Sequence, residues 1–353
     1  MSGIFGNPKL LVGLIVGSIV FLVSLAGGAL GEAFGFGFLS APIAVIQLPA
    51  EPFLPGELFP GYTIMNTMIT TWIGIVLLLV LAYFATRRLS EVPSGIQNLV
   101  EVFIEFFFNL ATNIAGPTKA RRFFPLVMTI FLFIMVSNWL GILPGFGTIG
   151  WIESPEAVIH HKEEKAKDHH VDLSTINLQV FNDSGKFGII PFGSLDDAVT
   201  AEEYEHNHGV AEGKRAGLLI PFLRSANTDV NTTLAIAIVA MVMVHFWGFS
   251  SLGIGGHLAK FINFKEGPIG FFVGILELIG EFAKVISFTF RLFGNIFAGE
   301  VLLISMAFLL PLIGIIPFLG LELFVGVIQA FIFAMLTLVF ASISTIPHGG
   351  EGH

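Results

Sequence analysis

IGFFVGILELIGEFAKVISFTFRLFGNIFAGE, Ile269 to Glu300, is apolar over a length that can cross or lie in a bilayer, yet it carries Glu277, Glu281, Lys284, Arg291 and Glu300. A charge near the bilayer centre costs at least ~2.5–3.5 kcal/mol on insertion scales, so an Arg in this setting calls for a function or a partner. At 100° per residue, Glu277, Lys284, Arg291 and Asn295 fall on one face of a helix. Glu300 follows Arg291 by nine residues, which turns it about 180° away and sets it ~13 Å further along the axis. One helix therefore presents a cation to one side and a carboxylate to the other, at different depths.

Composition agrees with a membrane setting. Of the 353 residues 54% are hydrophobic and only 12% are charged. Soluble domains average roughly 25% charged residues, so the chain reads as an all-α, polytopic integral membrane protein. The 38 Phe against 3 Tyr suit lipid-facing and buried surfaces. The chain has no Cys, which rules out disulfides and thiolate chemistry. A net charge of −9 argues against a nucleic-acid partner. GxxxxGK[ST] is absent, so nucleoside phosphates are not held by that loop.

Working outward, five segments emerge. Residues 1–61 hold an uncharged run, Leu10 to Leu30, and a Pro/Gly-rich loop, Glu32 to Gly61, with three acids and no Lys or Arg. The run exceeds the ~7–15 apolar residues of a signal-peptide core and its leading segment is weakly basic, which favours a retained helix over a cleaved peptide. Residues 62–151 contain the span Tyr62 to Thr86, ended by Arg87-Arg88, and a further span, Pro125 to Trp151. Between them GIQNLVEVFIEFFFNLATNIAG bears Gln97, Glu101, Glu105 and Asn109 at helical intervals, as a helix lying on the membrane surface would. Residues 152–225 form a soluble, acidic outer insertion; Ile152 to Arg224 has thirteen acids, seven bases and six His. Residues 226–346 return to the membrane with Thr228 to Ala259 and two long segments, Gly267 to Leu310 and Pro317 to Ile346, expected as strongly tilted helices. Residues 347–353 are a Gly-rich tail with His348 and His353. Five to six crossings result.

Basic residues set the orientation. Arg87 to Arg122 carries five bases and three acids, and Lys260 and Lys265 make a short basic loop; both belong inside. Glu32 to Gly61 and the insertion belong outside, since long domains cross largely regardless of charge.

RLFGNIFAGE (Arg291 to Glu300), preceded by LELIGEFAKVISFTF, resembles subunit a of the F-type ATP synthase. SNWLGILPGFG (Ser137 to Gly147), ANTDVNTTLAIAI (Ala226 to Ile238) and QAFIFAMLTLVFAS (Gln329 to Ser342) repeat the resemblance in the same order. It covers most of Tyr62 to Ser344 apart from the insertion.

The resemblance implies the stator of the membrane sector, with two offset proton half-channels facing a rotating c-ring, and no catalytic site of its own. It implies Arg291 as the charge that releases protons from ring carboxylates and bars direct passage. Glu300, Glu322, Asn295 and Gln329 would line the half-channel open to the outside, and Glu277 the one open to the cytoplasm. The implied partners are the c-ring, peripheral stalk subunit b, membrane lipid and the ion, H⁺ or Na⁺, in a bacterial inner membrane. No cofactor or metal is implied. Some relatives have His where this chain has Glu322, and many have Pro where it has Val285.

The residues give each site a physical rationale. A guanidinium keeps its proton, so Arg291 is a fixed charge that would pull a nearby carboxyl into its ionised form. Glu300 and Glu322 each stand in an apolar run and would approach across the turn at Pro311 to Pro317, where two carboxyls in low dielectric push one pKa upward. Asn295 and Gln329 fit either a proton path or polar bridges between helices. Glu281 and Lys284, three apart, fit a plain surface ion pair. Asn138 and Asp229 are expected to support the helices.

A secondary ion-coupled transporter would need a midplane substrate site and usually internal repeats, and neither is visible. An intramembrane metalloprotease would need HExxH, which His245 and His257 do not supply. HHKEEKAKDHH (His160 to His170), with His206 and His208, reads as part of a solvated outer domain and not as a metal site.

Overall fold

The structure, a computed structural model, describes residues 8–36, 49–53, 62–87, 95–166, 172–182, 187–189, 196–261 and 267–346. Arg88, Lys265 and Glu266 of the basic loops, His169 and His170, and the tail with His348 and His353 lie outside the described residues.

Seven helices among the described residues are long and apolar enough to cross a membrane. They are α1 (Pro8–Gly27), α3 (Asn66–Thr86), α4 (Ile96–Ala115), α5 (Pro117–Ile142), α8 (Val230–Leu258), α9 (Gly267–Leu309) and α10 (Ile315–Ser344). A short α2 (Ala29–Glu32) follows α1. The chain is thus an α-helical, multi-pass membrane protein. Among the seven, α4 is the most amphipathic and carries Glu101 and Glu105; it covers the stretch read as a surface helix. At 1.5 Å per residue the 43 residues of α9 reach about 65 Å, roughly twice the hydrocarbon thickness, so a bilayer accommodates α9 only with strong tilt or curvature.

Two features differ from the sequence reading. The span expected over Pro125 to Trp151 begins at Pro117 and stops at Ile142. Pro117 opens the helix where its missing N–H costs nothing. Pro125 lies inside it, and Gly145 and Gly147 adopt φ of 102° and 69° just beyond its end. Trp151 sits in a strand instead. The insertion, expected as a soluble acidic outer domain of an all-α chain, contains a sheet. It forms β1 (Ile149–Glu153), α6 (Pro155–Ala166), β2 (Asn177–Asn182), β3 (Phe187–Ile189), β4 (Asp196–Thr200), α7 (Ala201–His206) and β5 (Lys214–Pro221). The strands make an antiparallel sheet in the order β3-β1-β5-β2-β4.

By contacts the chain divides into two compact units. The first comprises Met1–Asn66, Gly141–Arg224 and Ala298–Leu323. Its sheet buries Leu178, Ala216 and Leu218 beneath Val158 and Ile159 of α6, while Ile152, Phe181 and Leu219 cluster separately. Alternation along each strand produces this division between faces. At Gly150 and Gly217 a Cβ would collide with the carbonyls of Ile220 and Glu153, so glycine permits the close pairing of β1 and β5. A capping box, Thr200 with Glu203, starts α7. In the same unit the Ser24 hydroxyl accepts from the amides of Leu312 and Ile313 in the turn after α9, at 3.2 and 3.3 Å.

The second unit comprises Thr67–Leu140, Ser225–Phe297 and Phe324–His353. Its core joins Phe107, Phe123, Phe131 and Ile134 with Trp247, Phe288, Leu292, Phe333 and Leu338, all buried. Small residues at Ala237, Ala240, Ala330 and Ala334 allow the helices to approach, as membrane interfaces favour. Asp229 caps α8 by accepting from the Asn231 amide at 2.9 Å, and it also accepts from Thr67 Oγ1 at 3.2 Å.

Candidate functional site

In the second unit, Phe288 and Leu292 turn the buried face of α9 inward, and Phe282, Ile286 and Phe290 recur every fourth residue on its exposed face. Arg291 is exposed beside them. Among the described residues its guanidinium makes one hydrogen bond, to Ser287 Oγ at 3.4 Å, and no ion pair with a carboxylate. One turn further, Asn295 is half-buried and its Nδ2 is buried without a hydrogen-bond acceptor. Gln329 on α10 is buried, and its Nε2 also lacks one. An unpaired buried donor costs about 1–3 kcal/mol, so neither amide nitrogen serves as a bridge between helices.

Asn138 does form such a bridge. Its Nδ2 donates to the Gly326 carbonyl at 3.0 Å, and its Oδ1 accepts from Asn227 at 2.6 Å. Glu277 lies half-buried on α9. Glu281 pairs with Lys284 at 2.6 Å, but the pair is not a plain surface bridge, because the Lys284 ammonium also stands 4.8 Å over the Phe340 ring.

In the first unit, α9 delivers Glu300 to a buried cluster that sequence reasoning did not find. Arg224 Nε lies 3.2 and 3.3 Å from the two carboxylate oxygens of Glu300, and Nη2 lies 3.2 Å from Oε2. Arg224 is only 5% exposed, and its Nη1 donates to the Pro49 carbonyl at 3.1 Å. Two residues on, Glu51 is buried in the same cluster. Asn66 Nδ2 donates to Glu51 Oε2 and to the Pro221 carbonyl, both at 3.1 Å, and the Asn66 amide donates to the Glu51 carbonyl at 2.9 Å. Burial pushes the Glu51 carboxyl up to about 7, assisted by the negative charges of Glu300 and Glu153 and opposed by Arg224 and Asn66. Glu153, also buried, reaches the surface through His161 Nδ1 at 3.0 Å.

Glu322 is buried against Gly299, whose missing side chain leaves room for its carboxyl group; a Cβ at position 299 would overlap that group. The turn after α9 thus brings Glu322 to the helical turn that bears Glu300. Glu300, however, has Arg224 as its ion partner. The signals for this cluster were present but unspecific: Arg224 precedes the ANTDVNTT block, and Glu51 is one acid among three in a base-free loop.

The sequence profile of the ATP synthase A chain family matches residues 68–342. The chain belongs to the ATP synthase A chain family. It is similar to ATP synthase subunit a of Gloeobacter violaceus, 29% identical over 283 residues that cover 80% of this chain and 85% of that one. It is similar to ATP synthase subunit a of Moorella thermoacetica, 27% identical over 286 residues covering 81% and 92%. Membership in the A chain family gives the chain a place in the membrane sector of an ATP synthase complex. The matched range contains Arg291, Asn295, Glu300, Glu322, Gln329, Glu277 and Arg224, whereas Glu51 precedes it.

Proposed function

We propose that this chain is the stationary ion-channel subunit of a bacterial F-type ATP synthase, lying in the inner membrane against a rotating c-ring and anchored by peripheral stalk subunit b. The observation that carries the reading is Arg291, exposed among large apolar side chains and without a carboxylate partner among the described residues. An unpaired guanidinium on an apolar face suits a carboxylate brought to it by another chain. As each ring carboxyl arrives, the fixed positive charge favours its ionised form and releases the proton. Because the guanidinium does not pass on a proton of its own, it separates the two half-channels.

On this reading Glu300, Glu322, Asn295 and Gln329 serve the outer half-channel and Glu277 the inner one. The unpaired amide nitrogens of Asn295 and Gln329 support a polar path over a packing role. The insertion with its sheet lies outside, beside the entry. The chain itself carries H⁺ or Na⁺ and leaves phosphoryl chemistry to other subunits. The test exploits the absence of Cys. Ile286→Cys and Phe290→Cys, in the complex purified through this chain, are expected to cross-link to single cysteines on a small apolar ring subunit. Purification without such a ring, or cross-linking only from the opposite face of α9, overturns the proposal.

A further inference from the structure

His245 and His257 lie twelve residues apart on α8. In an unbroken helix that spacing separates two side chains by ~18 Å along the axis. In the structure the rings meet, with His245 Nδ1 and His257 Nε2 3.2 Å apart. Gly253 makes this possible. Its φ of 74° and ψ of 167° break the helix and let the end of α8 pack against its own body. Gly248 completes the fit, since a Cβ there would overlap the His257 ring. Phe249 and Phe261 close around the same ring, at centroid distances of 4.4 and 5.6 Å.

On its other side His245 faces α9. Its Nε2 lies 3.6 Å from Glu281 Oε2, a distance that a small rotation closes to a hydrogen bond. Lys284 occupies the other oxygen, Oε1, at 2.6 Å. Two atoms at the ends of this line are buried without hydrogen-bond partners: His257 Nδ1 and Glu281 Oε2. Those orphans choose the tautomers of the neutral rings. A proton on His245 Nε2 points at the Glu281 carboxylate, which otherwise would face a lone pair. His245 Nδ1 is then an acceptor and takes the His257 Nε2–H. His257 Nδ1 is left as a bare lone pair, a cheaper orphan than a buried N–H would be. The three groups are therefore ordered, with a vacant proton-accepting site at one end and a carboxylate at the other.

We propose that His257, His245 and Glu281 form a proton wire between the inner edge of α8 and the inner half-channel carboxylate Glu277. The inference rests on the stator function proposed above and adds three residues to it. His257 is buried in the segment of α8 that folds back after Gly253, one residue from its end, so movement of that segment gives a proton access to Nδ1, and Glu281 stands one helical turn from Glu277 along α9. A proton bonds to His257 Nδ1; the proton on His257 Nε2 passes to His245 Nδ1; the proton on His245 Nε2 passes to Glu281 Oε2; and Glu281 releases its proton to Glu277, one helical turn away. Each nitrogen pair gains one proton and loses one, and one proton crosses in total. A second proton passes the same way only after both rings have returned to their starting tautomers, and passage in the opposite direction restores them as well. The charged groups around the wire are Lys284 and Glu277 of α9 and Lys260 beyond α8. Lys260 is engaged with the carbonyls of Ile343 and Ser344 at 3.4 and 3.0 Å at the end of α10, while Lys284 holds Glu281 in place.

The test uses the whole complex in proteoliposomes, with passive proton flux and ATP-driven pumping measured across a range of internal pH. His257→Gln keeps an N–H where Nε2 stood, so the contact with His245 survives while relay does not. A wire predicts flux reduced roughly a hundredfold, the low end of what a positioned proton-transfer side chain supplies. A purely structural pair predicts normal flux. His245→Ala should show the same loss and recover in part on addition of imidazole, to a degree that follows the pH-dependent protonation of the added base. Normal flux at every pH in His257→Gln, or a His245→Ala defect indifferent to imidazole, overturns the wire. Arg291→Ala measured in parallel separates the two readings: if it pumps normally the stator proposal itself fails, and if it alone fails only the wire is lost.

Discussion

Arg224 grips Glu300 through two nitrogens, and the pair lies inside the first unit with a second carboxyl, Glu51, beside it. The carboxylate of Glu300 is therefore engaged by Arg224 and not by Glu322. Its counter-charge is supplied by Arg224 at the end of the insertion, while Glu322 packs against Gly299.

Arg224→Ala should strand Glu300 and leave the Pro49 carbonyl unpaired. Breaking a buried pair by removing one partner costs about 3–5 kcal/mol, and since Glu300 is partly exposed the low end applies. Arg224→Ala with Glu300→Gln should recover part of that loss. The measurement is a double-mutant cycle on the thermal release of this chain from the purified complex. Additive single effects would show that the two side chains do not couple.

Glu51 predicts a pH dependence. Its carboxyl is pushed up to about 7 in the fold against 4.5 ordinarily, so between those values the folded state binds the extra proton. Stability contributed by this group is full below pH 4.5, declines as pH rises towards 7 and is flat above, with an amplitude on the order of 3 kcal/mol. Glu51→Gln should remove that slope and make the complex more heat-resistant than the parent at pH 8. Parallel pH profiles for the two proteins would contradict the burial of this carboxyl.

Gly299 and Glu322 should behave as lock and key. Gly299→Ala places a methyl group in the space of the Glu322 carboxyl and should slow passive proton flux strongly with assembly intact. Glu322→Asp, one methylene shorter, should restore a measurable part of the flux in the double variant. Glu322→His alone should stay active, because an imidazole with pKa of about 6.5 also suits a relay. An inactive Glu322→His in a well-assembled complex would contradict a titrating role.

Arg291→Ala should abolish ion-driven synthesis without loss of assembly, since the side chain is exposed and its one hydrogen bond among the described residues goes to Ser287. Arg291→Lys should largely fail as well, because a desolvated ammonium gives up its proton where a guanidinium does not. Proton-driven synthesis at parental rate in Arg291→Lys would remove the fixed-charge argument.

The membrane architecture was legible because its signals are local: uncharged runs near twenty residues, basic ends, and an Arg embedded in Phe and Leu. Arg291 and Glu300 could be phased on one helix from spacing alone. The sheet of the insertion was not read, although KRAGLLIP at Lys214–Pro221 is a plausible strand, because charge density dominated the neighbouring residues. Arg224 with Glu300 and His245 with His257 depend on chain reversals. The first joins residues 76 apart, and the second hangs on one positive φ at Gly253, which a helical projection carries straight through.

Ser24 has a consequence for biogenesis. Its hydroxyl is the acceptor for two amides 288 and 289 positions later. At about 5–20 residues per second, roughly 15–60 s of synthesis separates the two sides of that contact. For that interval α1 is threaded and its acceptor is idle, while the turn that needs it has not left the ribosome. The first helix and the last hairpin can close on one another only once nearly the whole polypeptide has been inserted, so a nascent chain stalled before residue 312 should lack that closure and show its first helix still accessible to insertion factors.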